Sequence, residues 1–369
     1  MERSVRRRRV WLGTLSCLAV IAFVFGASVA NNPAPEADAV GSLSLKQLAG
    51  ERIVVGLGGT SISSGLHSAI RQGRVAGVVL FAGNFPSRAA GRRLIAQLQA
   101  IPRPLQLRDP LLIMVDQEGG EVKRVSGAPT ASARQMGARG AAFSASQGRR
   151  TAANLLDVGV NVDLAPVLDV GRPGGVIAET ERSFGSTSAR VTATAIPFAQ
   201  AVQAGGIAAT GKHFPGFGAA RENTDFGVER IDLSKQELRA VDEKPYAAFM
   251  AAGGKLVMLS TAIYPAFSED PAAFTRAIAI GELRDRLGFE GVSITDALET
   301  PAVEHFGDPG KVAVAGARAG ADLLLFTHLS PAQSAWRALL ARLRSGALDR
   351  GEFETSAERV LDLRTGSPR

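Results

Sequence analysis

From about residue 45 the chain repeats one phrase: a short β-branched apolar run, a few polar or glycine residues, then an Ala/Leu/Arg-rich stretch. The apolar runs are RIVVGL (52–57), AGVVLF (76–81), LLIMVD (111–116), NVDLAPVLDV (161–170), GIAATGKHF (206–214), KLVMLST (255–261), GVSITDA (291–297) and ADLLLFT (321–327). Runs this continuous predict strands buried on both faces, the mark of a parallel sheet covered by its own crossover helices. The intervening SRAAGRRLIAQLQAI, SARVTATAIPFAQAVQAG, SKQELRAVDEKPYAAFMAAG and SPAQSAWRALLARLRSG read as helices, several opening on a serine cap and closing on glycine. The tail SAERVLDLRTG reads as a last amphipathic helix.

Eight strands alternating with helices over roughly 320 residues predict an α/β chain folded as one (β/α)8 TIM-type barrel with long loops. A doubly wound open sheet is the rival. However, GLGGTS after the first strand has the glycines of a dinucleotide fingerprint without its spacing, and reads as a tight turn. Composition does not break after residue 45, so residues 45–369 are assigned to a single domain.

The N-terminus has a different character. Arg3, Arg6, Arg7, Arg8 and Arg9 precede the apolar VWLGTLSCLAVIAFVFG, and SVA at 28–30 offers small residues for cleavage. Residues 1–30 are therefore expected to be a signal peptide, with an uncleaved membrane anchor as the alternative; RRVWL loosely fits a twin-arginine signal. Residues 31–44 (NNPAPEADAVGSLS) are expected to be a flexible linker, and the protein to be exported, extracellular or envelope-associated.

Charge and cysteine content then remove several functions. The net charge is +7, but residues 1–30 carry five arginines and Glu2, a net +4, which leaves +3 spread along the remainder. With no basic run and few aromatics, nucleic-acid binding is not expected. Cys17 is the only cysteine and sits inside the apolar run, so neither a disulfide nor a thiol site is expected beyond it. His67, His213, His305 and His328 show no metal-ligand spacing, and neither G-x-S-x-G nor a P-loop occurs. The expectation is a monomer without metal or organic cofactor, touching membrane only through its N-terminal segment if that is uncleaved.

In a barrel of this kind functional side chains cluster just after strand ends. Asp116 ends the third strand in MVDQEGGEVKR, with Glu118, Lys123 and Arg124 around a Gly-Gly turn. Asp169 lies late in the fourth run, Arg182 follows in ETERSFG, Lys212 and His213 end the fifth strand, and Asp296 ends the seventh. Each alone reads as a helix cap or a solvated loop residue. Gathered at one pole they describe a pocket for a polyhydroxylated or anionic small molecule, with carboxylate chemistry the remaining option.

DQEGGEVKR, LAPVLDV, ERSFG, GKHFPGFG and GVSITDAL, in this order over about residues 45–365, resemble the N-terminal barrel domain of glycoside hydrolase family 3, in particular its single-domain bacterial β-N-acetylglucosaminidases. The resemblance implies a retaining glycosidase with Asp296 as nucleophile, and Asp116, Arg124, Arg182, Lys212 and His213 as sugar-binding residues. It implies a small carbohydrate substrate, terminal β-linked N-acetylglucosamine of cell-wall or chitin fragments, with β-glucosides and β-xylosides as alternatives. One part of the pattern departs. Where this branch carries Asp-Ser-His after KHFPGHG, the chain has Asn223, Thr224 and Asp225; Phe217 and Thr261 also stand where histidines are usual. Three readings follow. Asp225, or less directly Glu222, replaces the histidine as acid/base, kept protonated by burial or by the neighbouring charge of Asp296. Alternatively the enzyme works without an acid on good leaving groups, or the barrel is a cell-wall sugar-binding or sensor protein.

Overall fold

The structure, a computed structural model, describes residues 40–366. The expected signal or anchor and Cys17 lie outside the described residues. Eight parallel strands form the frame: β1 (Ile53–Gly56), β2 (Gly77–Val79), β3 (Leu112–Val115), β4 (Val162–Asp163), β5 (Ala208–Phe214), β6 (Leu256–Leu259), β7 (Val292–Thr295) and β8 (Leu324–Phe326). Each pairs with its sequence neighbours and β8 pairs with β1. The ring closes where Ile294 bridges Leu323 and the Thr295 N–H donates to the Leu323 carbonyl at 2.9 Å. The expected (β/α)8 barrel is therefore the observed one.

The alternation of each strand sorts its side chains. Leu112, Met114, Val162, Leu256, Val292 and Ile294 belong to the cluster that fills the barrel. Ile53, Val55, Val78, Ile113, Val115 and Val257 point the other way, into the layer under the helices. Both faces are dry, which explains why these runs carry no polar alternation. Helices start where the sequence offers a cap: Ser87, Ser132, Thr187 and Asp349 each accept a backbone N–H of the first turn.

Three expectations change. SKQELRAVDEKPYAAFMAAG is not one helix: a wide π-type turn over Leu238–Asp242 separates Lys235–Glu237 from Lys244–Ala251, with Pro245 in the first turn of the second piece. The fourth run pairs as a strand only over Val162–Asp163. Beyond it, Pro166 lacks an N–H for the ladder and Val167 makes an isolated bridge to Lys212, so Asp169 sits past the strand on an extended segment. Finally, Val40 and Leu43 are buried in the core and Ser44 caps the helix Leu45–Gly50, so packed chain begins inside the stretch expected as linker. Among the described residues no helix is long and apolar enough to cross a membrane.

The pole where the strands begin is tied by one buried carboxylate. Asp322, fully buried, accepts from the Ser293 N–H (2.8 Å), the Ser293 and Ser356 hydroxyls (2.9 Å each) and Arg359 (3.0 Å), and pairs with Arg284. Burial alone would raise its carboxyl; Arg284 and Arg359 outweigh that and hold it below the ordinary range. The cluster locks β7, β8 and the helix Arg350–Thr365 together. A cavity of about 640 Å³ also lies at this pole, between the starts of β3–β7 and that helix, remote from the residues singled out in the sequence.

Candidate active site

Inward parity carries three charged side chains to the opposite pole. Asp116 continues Leu112 and Met114, Lys212 continues Ala208 and Thr210, and Asp296 continues Val292 and Ile294. At the end of β5 the register against β6 shifts between Gly211 and Phe214, and His213 also reaches the site. The peptides Lys212–His213 and Phe214–Pro215 are cis.

The centre is a net of alternating charge. Lys212 Nζ lies 2.7 Å from Asp116 Oδ1 and 2.8 Å from Glu118 Oε1. Arg182 grips Glu118 through two parallel bonds of 2.8 Å, and Arg124 Nη2 stands 3.3 Å from Asp116 Oδ2. The side chain of Glu118 is 2% exposed and that of Asp116 16%. Burial pushes both carboxyls up, but Arg182 and Lys212 on Glu118, and Lys212 and Arg124 on Asp116, leave each below its ordinary value. Lys212 mirrors them: burial pulls its ammonium down, and Asp116 and Glu118 overcome this and raise it. At neutral pH the net is fully ionised, so it holds fixed donors and acceptors for hydroxyls and amides.

Glu118, which pairs with both Arg182 and Lys212, was noted in the sequence but given no role there. It lies two residues after Asp116, hence on the same face, and that spacing was the available signal. The intervening Gln117 faces away and holds the turn: its Oε1 accepts from the Arg124 and Val125 N–H groups, and its Nε2 donates to the Val125 and Ala128 carbonyls. Gly119 and Gly120 make this hairpin possible, with φ of 98° and 60°. A Cβ on Gly119 would also lie 2.2 Å from the Ala131 carbonyl oxygen.

Asp169 was noted at the strand pole but not assigned a partner; it holds His213. Its Oδ2 is 2.8 Å from His213 Nδ1, while Oδ1 accepts the backbone N–H groups of His213 (3.1 Å) and Phe217 (2.7 Å). One buried carboxylate thus fixes both the imidazole and the start of the 215–227 loop. The Phe217 ring meets the imidazole edge-on at 5.6 Å, and Thr261 is buried beyond β6.

Among the described residues no ion pair forms on the Asp296 carboxylate, which accepts the Ala297 N–H at 2.8 Å. Burial raises its carboxyl above the ordinary value, His213 and Lys212 pull it back, and the negative charge of Asp225 raises it further. Asp225 is exposed, and Asn223 holds it on both sides: the Asn223 Oδ1 accepts the Asp225 N–H (3.1 Å) and its Nδ2 donates to Asp225 Oδ2 (2.9 Å). Glu222, the weaker candidate, is exposed and gives its backbone N–H to Glu229 at 2.9 Å. The arrangement joins a charge-balanced polar net, a buried imidazole and a carboxylate left free of cations. No group of three or more His, Cys, Asp or Glu among the described residues could hold a metal ion.

A free carboxylate beside fixed hydroxyl-binding groups at a barrel mouth suits attack on a sugar, and comparison with known proteins puts the chain among the glycosidases, which hydrolyse O-glycosyl bonds. The description "Glycosyl hydrolase family 3 N terminal domain" matches residues 43–363, and the chain belongs to that family. It is 36% identical over 334 residues to an uncharacterized secreted glycosyl hydrolase of Arthroderma benhamiae, covering 88% of this chain and 94% of that one. It is 33% identical over 338 residues to a beta-hexosaminidase of Xylella fastidiosa, covering 85% and 96%. The solved family 3 β-N-acetylglucosaminidase of Paenibacillus sp. superposes with a TM-score of 0.83 at 32% identity, covering 88% of this chain; the chain spans 62% of that protein's length. The beta-N-acetylhexosaminidase of Beutenbergia cavernae gives 0.80 at 30% identity, covering 88% and 99%.

Proposed function

We propose that the chain is an exported, retaining glycoside hydrolase that removes terminal β-linked N-acetylglucosamine from cell-wall or chitin fragments. Asp296 attacks the anomeric carbon as the glycosidic bond breaks, and Asp225 gives its proton to the departing oxygen. The resulting ester between sugar and Asp296 is then cleaved by water, with Asp225 taking the water's proton as the carbon–oxygen bond to Asp296 breaks. Asp116 accepts hydrogen bonds from sugar hydroxyls, and Arg124, Arg182, Lys212 and His213 donate to hydroxyls or to the acyl group.

The observation that carries this reading is the Asp296 carboxylate at the end of β7, holding no ion pair among the described residues, close to the net of Asp116, Glu118, Lys212 and Arg182. A retaining glycosidase uses a second carboxyl as acid/base, and Asp225, whose negative charge raises the Asp296 carboxyl, is held by Asn223. The sugar is supported by the names of the relatives. Export is supported by the arginine-led apolar segment 1–30 and by a relative described as secreted.

Two variants and two leaving groups test it. Asp296→Ala removes turnover of every β-glycoside. Asp225→Ala leaves an activated aryl glycoside turning over while slowing an alkyl glycoside a further ~10²–10⁴-fold. Unchanged turnover in Asp296→Ala refutes the nucleophile. Equal losses on both substrates in Asp225→Ala refute the acid.

A further inference from the structure

Arg172 and Asp242 form an ion pair outside the net of Asp116, Glu118, Lys212 and Arg182. Two parallel bonds join them, Arg172 Nη1 to Asp242 Oδ1 at 2.6 Å and Nη2 to Oδ2 at 2.7 Å. The Asp242 side chain is fully buried, and that of Arg172 is 27% exposed. Burying a carboxylate is costly, so its place calls for a reason. The wide turn Leu238–Asp242 ends on this aspartate, and turns of that kind interrupt helices frequently at functional positions. What Asp242 meets is the chain leaving β5. A Cβ on Gly216, where φ is 134°, would lie 2.5 Å from Asp242 Cβ. The Tyr264 hydroxyl donates to the Gly216 carbonyl at 3.0 Å. Further on, Gly218 leaves no room for a Cβ against the Val170 carbonyl, and the Val176 N–H donates to the Ala220 carbonyl at 2.9 Å. Arg172 thus belongs to the segment that borders Gly218 and Ala220, and its fork reaches the aspartate that borders Gly216.

His213 stands at the near end of the segment so held. The Gly216 N–H donates to the His213 carbonyl at 2.9 Å and closes the turn. Asp169 then takes the N–H groups of His213 and Phe217 on one oxygen and His213 Nδ1 on the other. A shift of Gly216 would therefore pull on both backbone bonds that aim the Asp169 carboxylate at the imidazole. We propose that the Arg172–Asp242 pair is a clamp that positions His213, fixing the turn 213–217 against Asp169 without itself touching the sugar. For its catalytic consequence this rests on the glycosidase reading above; for its geometry it does not.

Arg172→Ala opens the fork, and two readouts follow the result. The first is the proton on His213 Nδ1, observed by NMR with nitrogen-labelled histidine and assigned by its loss in His213→Gln. Its signal is expected to be sharp in wild type and broadened or lost in Arg172→Ala. The second is kcat/KM for an aryl β-N-acetylglucosaminide, expected to fall about ten- to hundredfold. In the double variant with Asp169→Asn, the loss should stay within about twofold of Asp169→Asn alone, because both changes act through His213. An unchanged proton signal, or losses that multiply in the double variant, overturns the proposal. Arg172→Lys keeps a cation on Asp242 with one bond in place of two, and serves if Arg172→Ala does not fold. It is expected to lose about threefold in kcat/KM with a weakened signal, and matching wild type in both overturns the clamp. A wild type that turns over no β-glycoside refutes the glycosidase reading alone, since the proton signal still decides the clamp.

Discussion

Replacing Glu118 with Gln isolates the charge of the buried carboxylate at the centre of the net, since shape and one acceptor oxygen are kept. Glu118 neutralises Arg182 through two 2.8 Å bonds and shares Lys212 with Asp116. In Glu118→Gln, Lys212 keeps Asp116, whereas Arg182 faces an amide whose N–H groups repel it. Breaking a buried pair by removing one partner costs about 3–5 kcal/mol. At roughly 2 °C per kcal/mol for a domain this large, the melting temperature falls by about 6–10 °C. Activity falls as well, by about 10²-fold in kcat/KM, because Arg182 and Lys212 lose the geometry that a bound sugar requires. The pH dependence adds a second signature. The Glu118 carboxyl is depressed in the folded protein, so its stabilisation is complete above its ordinary value near 4.5 and is lost as pH falls below it. Melting curves by circular dichroism from about pH 3 to 7 should therefore be flatter on the acid side for the variant. A variant that melts within 1 °C (about 0.5 kcal/mol) of wild type at pH 7 and keeps kcat/KM would refute the reasoning.

Other outcomes follow from the same geometry. On the proposed mechanism Asp296 works ionised, and burial raises its carboxyl, so the acid limb of kcat/KM should lie above the ordinary aspartate range. Since the charge of Asp225 raises Asp296 further, Asp225→Asn should shift that limb to lower pH, read with an activated substrate; a shift to higher pH would contradict that charge effect. Asp322→Ala, at the far pole, should cost about 3–5 kcal/mol of stability while leaving kcat at 25 °C within about twofold, checked by thermal melts and steady-state kinetics. Asp169→Asn replaces an acceptor of three bonds with a group that cannot match them. It should lower kcat by about tenfold or more with little loss of fold, and a variant as active as wild type would remove His213 from the working site.

The frame was legible because parallel strands covered on both faces leave a signal that needs no partner to interpret: every one of the eight apolar runs contains a barrel strand. Legibility ended where the chain's course depends on residues distant in sequence. LAPVLDV reads as more strand, yet Pro166 interrupts its ladder and the Asp169 carboxylate draws the segment toward His213, 44 residues on. In SKQELRAVDEKPYAAFMAAG, Pro245 signals that a helix begins near it, but the wide turn before it goes with the burial of Leu238 and Asp242, which the local sequence does not show. Asp116, Lys212 and Asp296 could be read from strand parity. That Glu118 binds two cations could not, because Arg182 arrives from a loop 64 residues away.

The closing seam of the barrel has one further consequence. Between β7 and β8 a single bridge replaces the longer ladders found elsewhere, extended by the Leu325 N–H on the Thr295 hydroxyl and the Leu298 N–H on the Leu325 carbonyl, with the Asp322 knot below it. Asp296, the proposed nucleophile, is the first residue beyond β7, so partial parting of this junction on warming would swing its carboxylate away while the remaining wall still stands. Heat should therefore silence the enzyme a few degrees before it melts it, and amide exchange at Leu323 and Leu325 should quicken in that interval.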